Sequence, residues 1–307
     1  MSILAFESGG TKLVALLADD SGKLLQRGKA LRHSGQTAAE TLKELCRLGH
    51  SLLSNAPSRL RGIGYGFGGP VSRATKRPLI SYSESGWDQI NPVRYFEENF
   101  EVPAFIENDC NSAALGEALY GAGRGSDTVF YATLGTGCGG GLVHRGEIVA
   151  LADNGEAEFG HIVLDPQGPA CACGNFGCVE AFCSGPAIAA QAQTLYGGRF
   201  SDSKAVLQAF LEGDPDATVI VEEICEHLGH GLGIVATLFN PDVMIIGGGV
   251  AQTGEPLLER IRHHARRHTF GMFRDRARVV ASVLGEDAVC QGAAAYAAQR
   301  LERESKA

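Results

Sequence analysis

Short apolar runs separated by glycine-bearing polar segments mark the front of the chain. Residues 3–6 form one such run and residues 13–18 a second, with Glu7-Ser8-Gly9-Gly10-Thr11-Lys12 between them. Brief apolar runs bounded by turn residues predict strand, glycine turn, strand. Residues 37–53 carry apolar positions at helical spacing and predict an amphipathic helix. Residues 62–67 read as a buried strand leaving at Gly68-Gly69-Pro70. Residues 102–106 read as another that runs into Glu107-Asn108-Asp109, and residues 112–119 return to helical spacing. The order then recurs. A strand at 128–134 meets the turn Gly135-Thr136-Gly137, a strand at 139–143 leads out, and a later strand at 243–246 leaves at Gly247-Gly248-Gly249-Val250. Glycine at a strand end is commonplace, but the repeated order predicts a duplicated α/β core. Residues 216–238 read as a long helix stopped by Phe239-Asn240-Pro241, and residues 292–300 as a closing helix with an Ala-rich face.

Length supports this division, because 307 residues exceed one ordinary core. Hinges near Ser112 and Cys290 would give a small lobe of residues 1–112, joined by the helix at 290–307, and a large lobe of residues 113–289. The net charge of -8 argues against nucleic acid or an anionic membrane as partner, since both need concentrated Lys and Arg. It does not argue against a phosphate held locally by backbone N–H groups. No uncharged apolar stretch approaches the roughly 20 residues of a membrane span. The start lacks a basic region and Glu7 interrupts its apolar run, so no secretory signal is expected. Together with nine cysteines, an odd number, this points to a reducing, cytoplasmic setting.

Three groups of residues carry candidate chemistry. The first is the glycine turns. Gly9-Gly10-Thr11-Lys12 and Gly135-Thr136-Gly137 can each aim several N–H groups at one phosphate, and Gly248 and Gly249 can let a nucleoside pack on the backbone. Each is also compatible with a purely structural turn, and neither a Walker loop nor a dinucleotide fingerprint fits the spacing. The second is Asn108-Asp109, read either as a helix cap or, for Asp109, as a general base at the carboxyl end of a strand. The third is His161 with Cys171, Cys173 and Cys178. One imidazole and three thiolates form a closed tetrahedral zinc set, and Gly174 and Gly177 let the chain fold back on the metal. Buried thiols or a disulfide are the alternatives. Cys183 has no assigned role. Glu158 and Glu180 flank this segment and suit either surface charge or sugar hydroxyls, for which carboxylates are good acceptors.

In their order and spacing these segments resemble the ROK family (repressors, open reading frames and sugar kinases). The resemblance spans nearly the whole chain. Its most specific part is Cys171-x-Cys173-Gly174-x-x-Gly177-Cys178-x-Glu180 following Glu158-Phe159-Gly160-His161. It implies an actin-like, hexokinase-like α/β fold of two lobes around a central cleft. It implies an ATP-dependent kinase acting on the primary hydroxyl of a hexose, with glucose first and N-acetylhexosamine, mannose or fructose as alternatives. Asp109 would be the catalytic base. Gly69, Asn108, Glu158, His161 and Glu180 would bind sugar, with His161 also holding zinc. Gly9, Gly10, Thr11, Lys12, Gly135, Thr136 and Gly137 would line the phosphates, and Gly248 and Gly249 the nucleoside. Mg²⁺ would accompany ATP, and a homodimer or homotetramer is expected. Two departures stand out. Glu7 replaces the usual Asp and would act on magnesium with longer reach. In Ser83-Glu84-Ser85-Gly86-Trp87 the family's Asn is missing, and Trp87 suits either a sugar face or the core. A sugar-responsive repressor would carry a DNA-binding segment before the first phosphate motif, which here begins at Glu7. A catalytically inactive sugar-binding regulator is the other alternative. A polyphosphate donor would need a long basic track, which is not evident in the sequence.

Overall fold

The computed structural model describes residues 1–19, 22–33, 35–54, 56, 58–81, 84–151, 153 and 157–306. Ser83, in the loop before Trp87, lies outside the described residues. The chain runs β1 (Ser2–Ser8), β2 (Lys12–Asp19), β3 (Leu24–Leu31), α1 (Ala38–Leu53), β4 (Leu60–Phe67), β5 (Val71–Ser72), β6 (Arg77–Pro78), α2 (Pro92–Phe100), β7 (Ala104–Asn108) and α3 (Asp109–Tyr120). It continues with β8 (Thr128–Leu134), β9 (Cys138–His144), β10 (Glu147–Ile148), α4 (Val179–Cys183), α5 (Gly185–Tyr196), α6 (Ser203–Leu211), α7 (Pro215–Phe239), β11 (Val243–Gly247), α8 (Glu255–His268), β12 (Val279–Ala281) and α9 (Ala288–Glu304). Two units result. One comprises Met1–Gly121, Gly146–Glu156 and Glu286–Ala307, the other Ala122–Arg145 and Ala157–Gly285.

In the first unit the sheet order is β3-β2-β1-β4-β7, with antiparallel pairing along β3-β2-β1 and parallel pairing along β1-β4-β7. β1 is buried along its whole length because helices cover both faces. Its alternate residues divide accordingly. Leu4 and Phe6 join a core with Leu42, Leu45 and Phe96 from α1 and α2, while Ile3 and Ala5 join one with Cys290, Ala293 and Ala297 from α9. α1 starts at a capping box in which Thr37 and Glu40 satisfy each other's backbone donors.

The glycines of β4 explain the Ala-rich face of α9. Gly62, Gly64 and Gly66 recur with period two, so they share one side of the strand. A Cβ on Gly64 would lie 2.0 Å from the carbonyl oxygen of Ala293, and one on Gly66 would lie 2.4 Å from Val289. The same closeness holds between helices, where a Cβ on Gly292 would lie 1.6 Å from the carbonyl oxygen of Ser112. Val has a higher strand propensity than Gly, yet Gly64→Val is expected to destabilise the protein by about 3 kcal/mol or more through overpacking. An unchanged denaturation midpoint in that variant would contradict this account of the α9 contact.

The second unit repeats the pattern. β9-β8 is an antiparallel hairpin, and β8-β11-β12 continues in parallel. The observed duplication matches the order read from the sequence. α7 starts at the Asp214 cap and ends at Asn240 in left-handed conformation (φ 43°). α8 packs closely on it, for a Cβ on Gly229 would lie 2.3 Å from that of His264. Among the described residues, no helix is long and apolar enough to cross a membrane.

Candidate functional site

In the first unit, the hairpin between β1 and β2 closes through the Gly9 N–H donating to the Lys12 carbonyl at 3.0 Å. Gly10 and Thr11 occupy its exposed tip. Lys12 pairs with Glu286 at 3.2 Å, and Glu286 also pairs with Arg27 and Lys29 at 2.9 and 3.0 Å. Three cations around one carboxylate hold Glu286 down at about 2. This anchor at the start of α9 has no local sequence pattern, and the sequence reading missed it.

Asn108 and Asp109 lie where β7 becomes α3, and the structure separates their tasks. Asn108 carries the cap, accepting from the N–H groups of Cys110 and Asn111 at 2.8 and 3.1 Å. Its amide donates to the Gly69 carbonyl at 3.0 Å, which leaves a second N–H for a ligand. Asp109 is the first helical residue. Its Oδ1 accepts from Cys110 N–H at 2.8 Å, while Oδ2 lies 3.6 Å from where a Cβ on Gly68 would be. The carboxylate thus faces the glycine exit of β4. Behind it, the buried Glu107 is gripped by Arg73 at 2.9 and 3.1 Å and by Asn111 at 3.1 Å. Such a bidentate pair fixes the strand end that carries Asp109. Glu107 and Arg73 were not singled out from sequence, because their pairing spans 34 residues.

Glu7 ends β1 only 8% exposed, and its Oε2 has no hydrogen-bond partner among the described residues. Burial raises its carboxyl to about 7; Lys12 opposes this, and Asp109, Glu286 and Asp287 add to it. An orphaned carboxylate oxygen among other acids suits a hard divalent cation and its waters. A carboxyl whose pKa is higher folded than unfolded favours the folded state at low pH. That contribution is full below about 4.5 and is lost as pH rises through about 7. Glu7→Gln should therefore melt at higher temperature than the wild type above pH 7, by up to about 3 kcal/mol, with the gap closing towards pH 4.5. A gap that is the same at every pH would refute the burial of charge as its cause.

Trp87 settles in the core. It is 4% exposed, meets Phe67 edge-on at 5.0 Å, and donates its indole N–H to Glu84 at 2.9 Å. The core alternative therefore describes Trp87.

In the second unit, the 3₁₀ turn Phe159–His161 and the loop that follows it bring four ligand atoms together. One atom each from His161, Cys171, Cys173 and Cys178 lies within 4.8 Å of all the others. The Cys173 and Cys178 sulfurs are 3.7 Å apart, as are Cys171 Sγ and His161 Nδ1. Tetrahedral zinc with ordinary bond lengths would set these edges at about 3.8 and 3.6 Å, so the donor set fits such an ion. Gly177 makes the fold-back possible. Its φ is 63°, and a Cβ would lie 1.7 Å from the Asp165 carbonyl oxygen. Burial pushes the Cys178 thiol up to about 12, whereas the Asn175 N–H holds Cys173 below its usual range. Coordination would displace such thiol protons. None of the nine cysteines is in a disulfide.

Glu180, on α4, accepts from Cys138 N–H at 2.9 Å and lies 2.7 Å from where a Cβ on Gly137 would be. It therefore backs the second glycine turn. In that turn Gly135 N–H is already bonded to the Gly137 carbonyl at 2.9 Å, so Thr136 and Gly137 are its remaining donors. Glu158 is exposed, and its carbonyl accepts from His161 N–H at 3.0 Å. Gly248 has φ 84° and would place a Cβ 2.3 Å from the Leu134 carbonyl oxygen, whereas Gly249 opens onto free space.

Residues 3–300 match a family model described as ROK family. A glucokinase from Thermotoga maritima is 31% identical to this chain, covering 98% of each. Among solved structures, a ROK hexokinase from Thermus thermophilus aligns with a TM-score of 0.87 at 29% identity, over 99% of this chain and 100% of its own. A ROK family glucokinase from Streptomyces griseus, in complex with glucose and AMPPNP, aligns with a TM-score of 0.85 at 32% identity, over 97% and 100%. The duplicated α/β core is thus that of the actin-like ATPases.

Proposed function

The chain belongs to the ROK family, and from that premise we propose that it is an ATP-dependent hexose kinase acting on the 6-hydroxyl, with glucose as the favoured substrate. The observation that carries this reading is the division of labour at the start of α3. Asn108 caps the helix through its side-chain oxygen, and the Asp109 carboxylate, at the first helical position, faces the glycine exit of β4. Asp109 takes the proton of the sugar hydroxyl as its oxygen bonds to the γ-phosphorus of ATP. The bond from that phosphorus to the β–γ bridging oxygen breaks, and ADP leaves. Such base catalysis typically contributes about 10²–10⁴-fold, and positioning and charge stabilisation supply much of the rest.

Gly69, Asn108, Glu158, His161 and Glu180 orient the sugar hydroxyls. Gly9, Gly10, Thr11 and Lys12, with Thr136 and Gly137, line the phosphates, and Gly248 and Gly249 take the nucleoside. Gly135 shapes its turn rather than donating, since its N–H is engaged. Glu7 would hold Mg²⁺ directly or through water, and the ion would supply neutralisation of phosphate charge. His161, Cys171, Cys173 and Cys178 would hold zinc. With Nδ1 among the sulfurs, His161 keeps Nε2 for a hydroxyl. Nine cysteines, none of them in a disulfide, agree with a cytoplasmic location. Leu238, Phe239, Phe270 and Met272 are exposed, and Phe270 N–H is tied to Thr237 at 3.1 Å, an apolar face suited to a homodimer or homotetramer.

The test is a coupled ADP assay with MgATP over glucose, mannose, fructose and N-acetylhexosamines. ADP release only with a hexose, fastest with glucose, is expected. Sugar binding without turnover on any of them would replace the kinase with an inactive sugar-binding regulator.

A further inference from the structure

Arg32, just beyond β3, reaches the glycine turn from behind. Its Nη1 donates to the carbonyls of Gly9 and Gly10, both at 3.3 Å, and its backbone N–H donates to the Thr11 carbonyl at 3.1 Å. Three successive carbonyls are thus drawn towards one residue. In a trans peptide the carbonyl of one residue and the N–H of the next point in opposite directions within one plane. With the Gly9 and Gly10 carbonyls turned to Arg32, the N–H groups of Gly10 and Thr11 must face the other way. Neither N–H donates to another group of the chain among the described residues, and both residues are exposed. The guanidinium also puts a fixed positive charge behind two outward donors, as an anion site requires.

Arg32 is itself held. Its Nε lies 3.0 Å from the Glu84 carboxylate, an ion pair without hydrogen-bond geometry, and the two side chains are only 6% and 3% exposed. Glu84 is fixed in turn, with its backbone N–H on Ser81 at 3.1 Å and its carboxylate accepting from Trp87 at 2.9 Å. A buried ion pair of this kind is weak evidence for stability, but it favours one geometry when a further donor group is engaged, as Nη1 is here.

We propose that Arg32, locked by Glu84, is a positioning residue for the nucleotide: it turns the Gly10 and Thr11 N–H groups outward as a preformed phosphate cradle. Glu84 and Trp87 thereby act on the nucleotide side of the reaction. This rests on the kinase reading only in naming the phosphate as that of ATP.

The experiment measures MgATP affinity by calorimetry for the wild type, Arg32→Lys and the double variant Arg32→Gln/Glu84→Gln. Lys keeps the charge but cannot hold the carboxylate and two carbonyls in one plane. The double variant leaves no unpaired buried charge, so it is expected to fold. Weakening of MgATP binding by about tenfold in both is expected, a difference on the scale of one well-placed hydrogen bond. Hexose affinity should stay within about twofold, which general structural damage would not spare. A second readout needs no variant: MgATP should shift the Gly10 and Thr11 amide resonances of the wild type. Variants that bind MgATP as the wild type does, or amide resonances that ignore it, overturn the proposal. Binding intact but no turnover with any hexose would instead overturn the kinase reading and leave this one standing.

Discussion

Asp109→Asn removes phosphoryl transfer and leaves hexose binding in place. The expected fall in kcat is about 10²–10⁴-fold, the usual contribution of a positioned base. KM for the hexose should change little, because the amide retains the carboxylate's shape. The competing account, in which Asp109 only serves the helix, predicts something different. There the variant would keep its rate and lose stability by about 0.3–1 kcal/mol, the worth of an acidic group in a first helical turn. Because Asn108 already accepts from two of the free N–H groups, the helix has little further need of Asp109. A near-normal kcat together with a lowered melting temperature would return Asp109 to the role of a helix residue.

Loss of the metal is the second large effect. Cys173 is exposed, so Cys173→Ser disturbs little packing and tests the metal almost alone. The wild type should carry close to one zinc per chain by elemental analysis, and the variant almost none. Structural zinc contributes on the order of 10 kcal/mol to small folded peptides. In a chain of this size only part of that appears as global stability, and a fall in melting temperature of about 10 °C is expected. Because His161 sits in the metal set, the hexose KM should rise as well. Zinc-free wild-type protein with normal stability would sink this reading.

Much of this was legible in the sequence, and the exceptions share causes. The buried strands β1, β4, β8 and β11 announced themselves because continuous apolar runs between glycines have few other uses. The metal set was legible because its ligands lie close together along the chain. By contrast, β3 was missed: it is an edge strand, half exposed, and its residues (LLQRGKAL) do not commit to a buried face. α8 was missed because its core stripe of Leu257, Leu258, Ile261 and Ala265 is diluted by RHHARRH. The pair Asn108-Asp109 was ambiguous because a cap and a base call for the same residue types; the coordinates give the side-chain cap to Asn108. The pairs Arg32–Glu84, Arg73–Glu107 and Lys12–Glu286 were invisible for another reason. Each joins residues far apart in the chain, and nothing in local spacing announces such a partner.

The assembly of the first unit from segments on both sides of the second has a consequence for biosynthesis. Strands β1 and β4 leave the ribosome before any of the second unit, but the helix that packs against Ile3, Ala5 and Gly64 is made only after all of it. At about 5–20 residues per second, the interval between β4 and α9 is on the order of ten seconds or more. By the end of that time the second unit's strands and helices are complete, whereas one face of the first sheet has waited uncovered. Nascent chains halted before Glu286 should therefore show protease-resistant fragments from the second unit first, and the emerging β1–β4 surface is the stretch that a chaperone would meet.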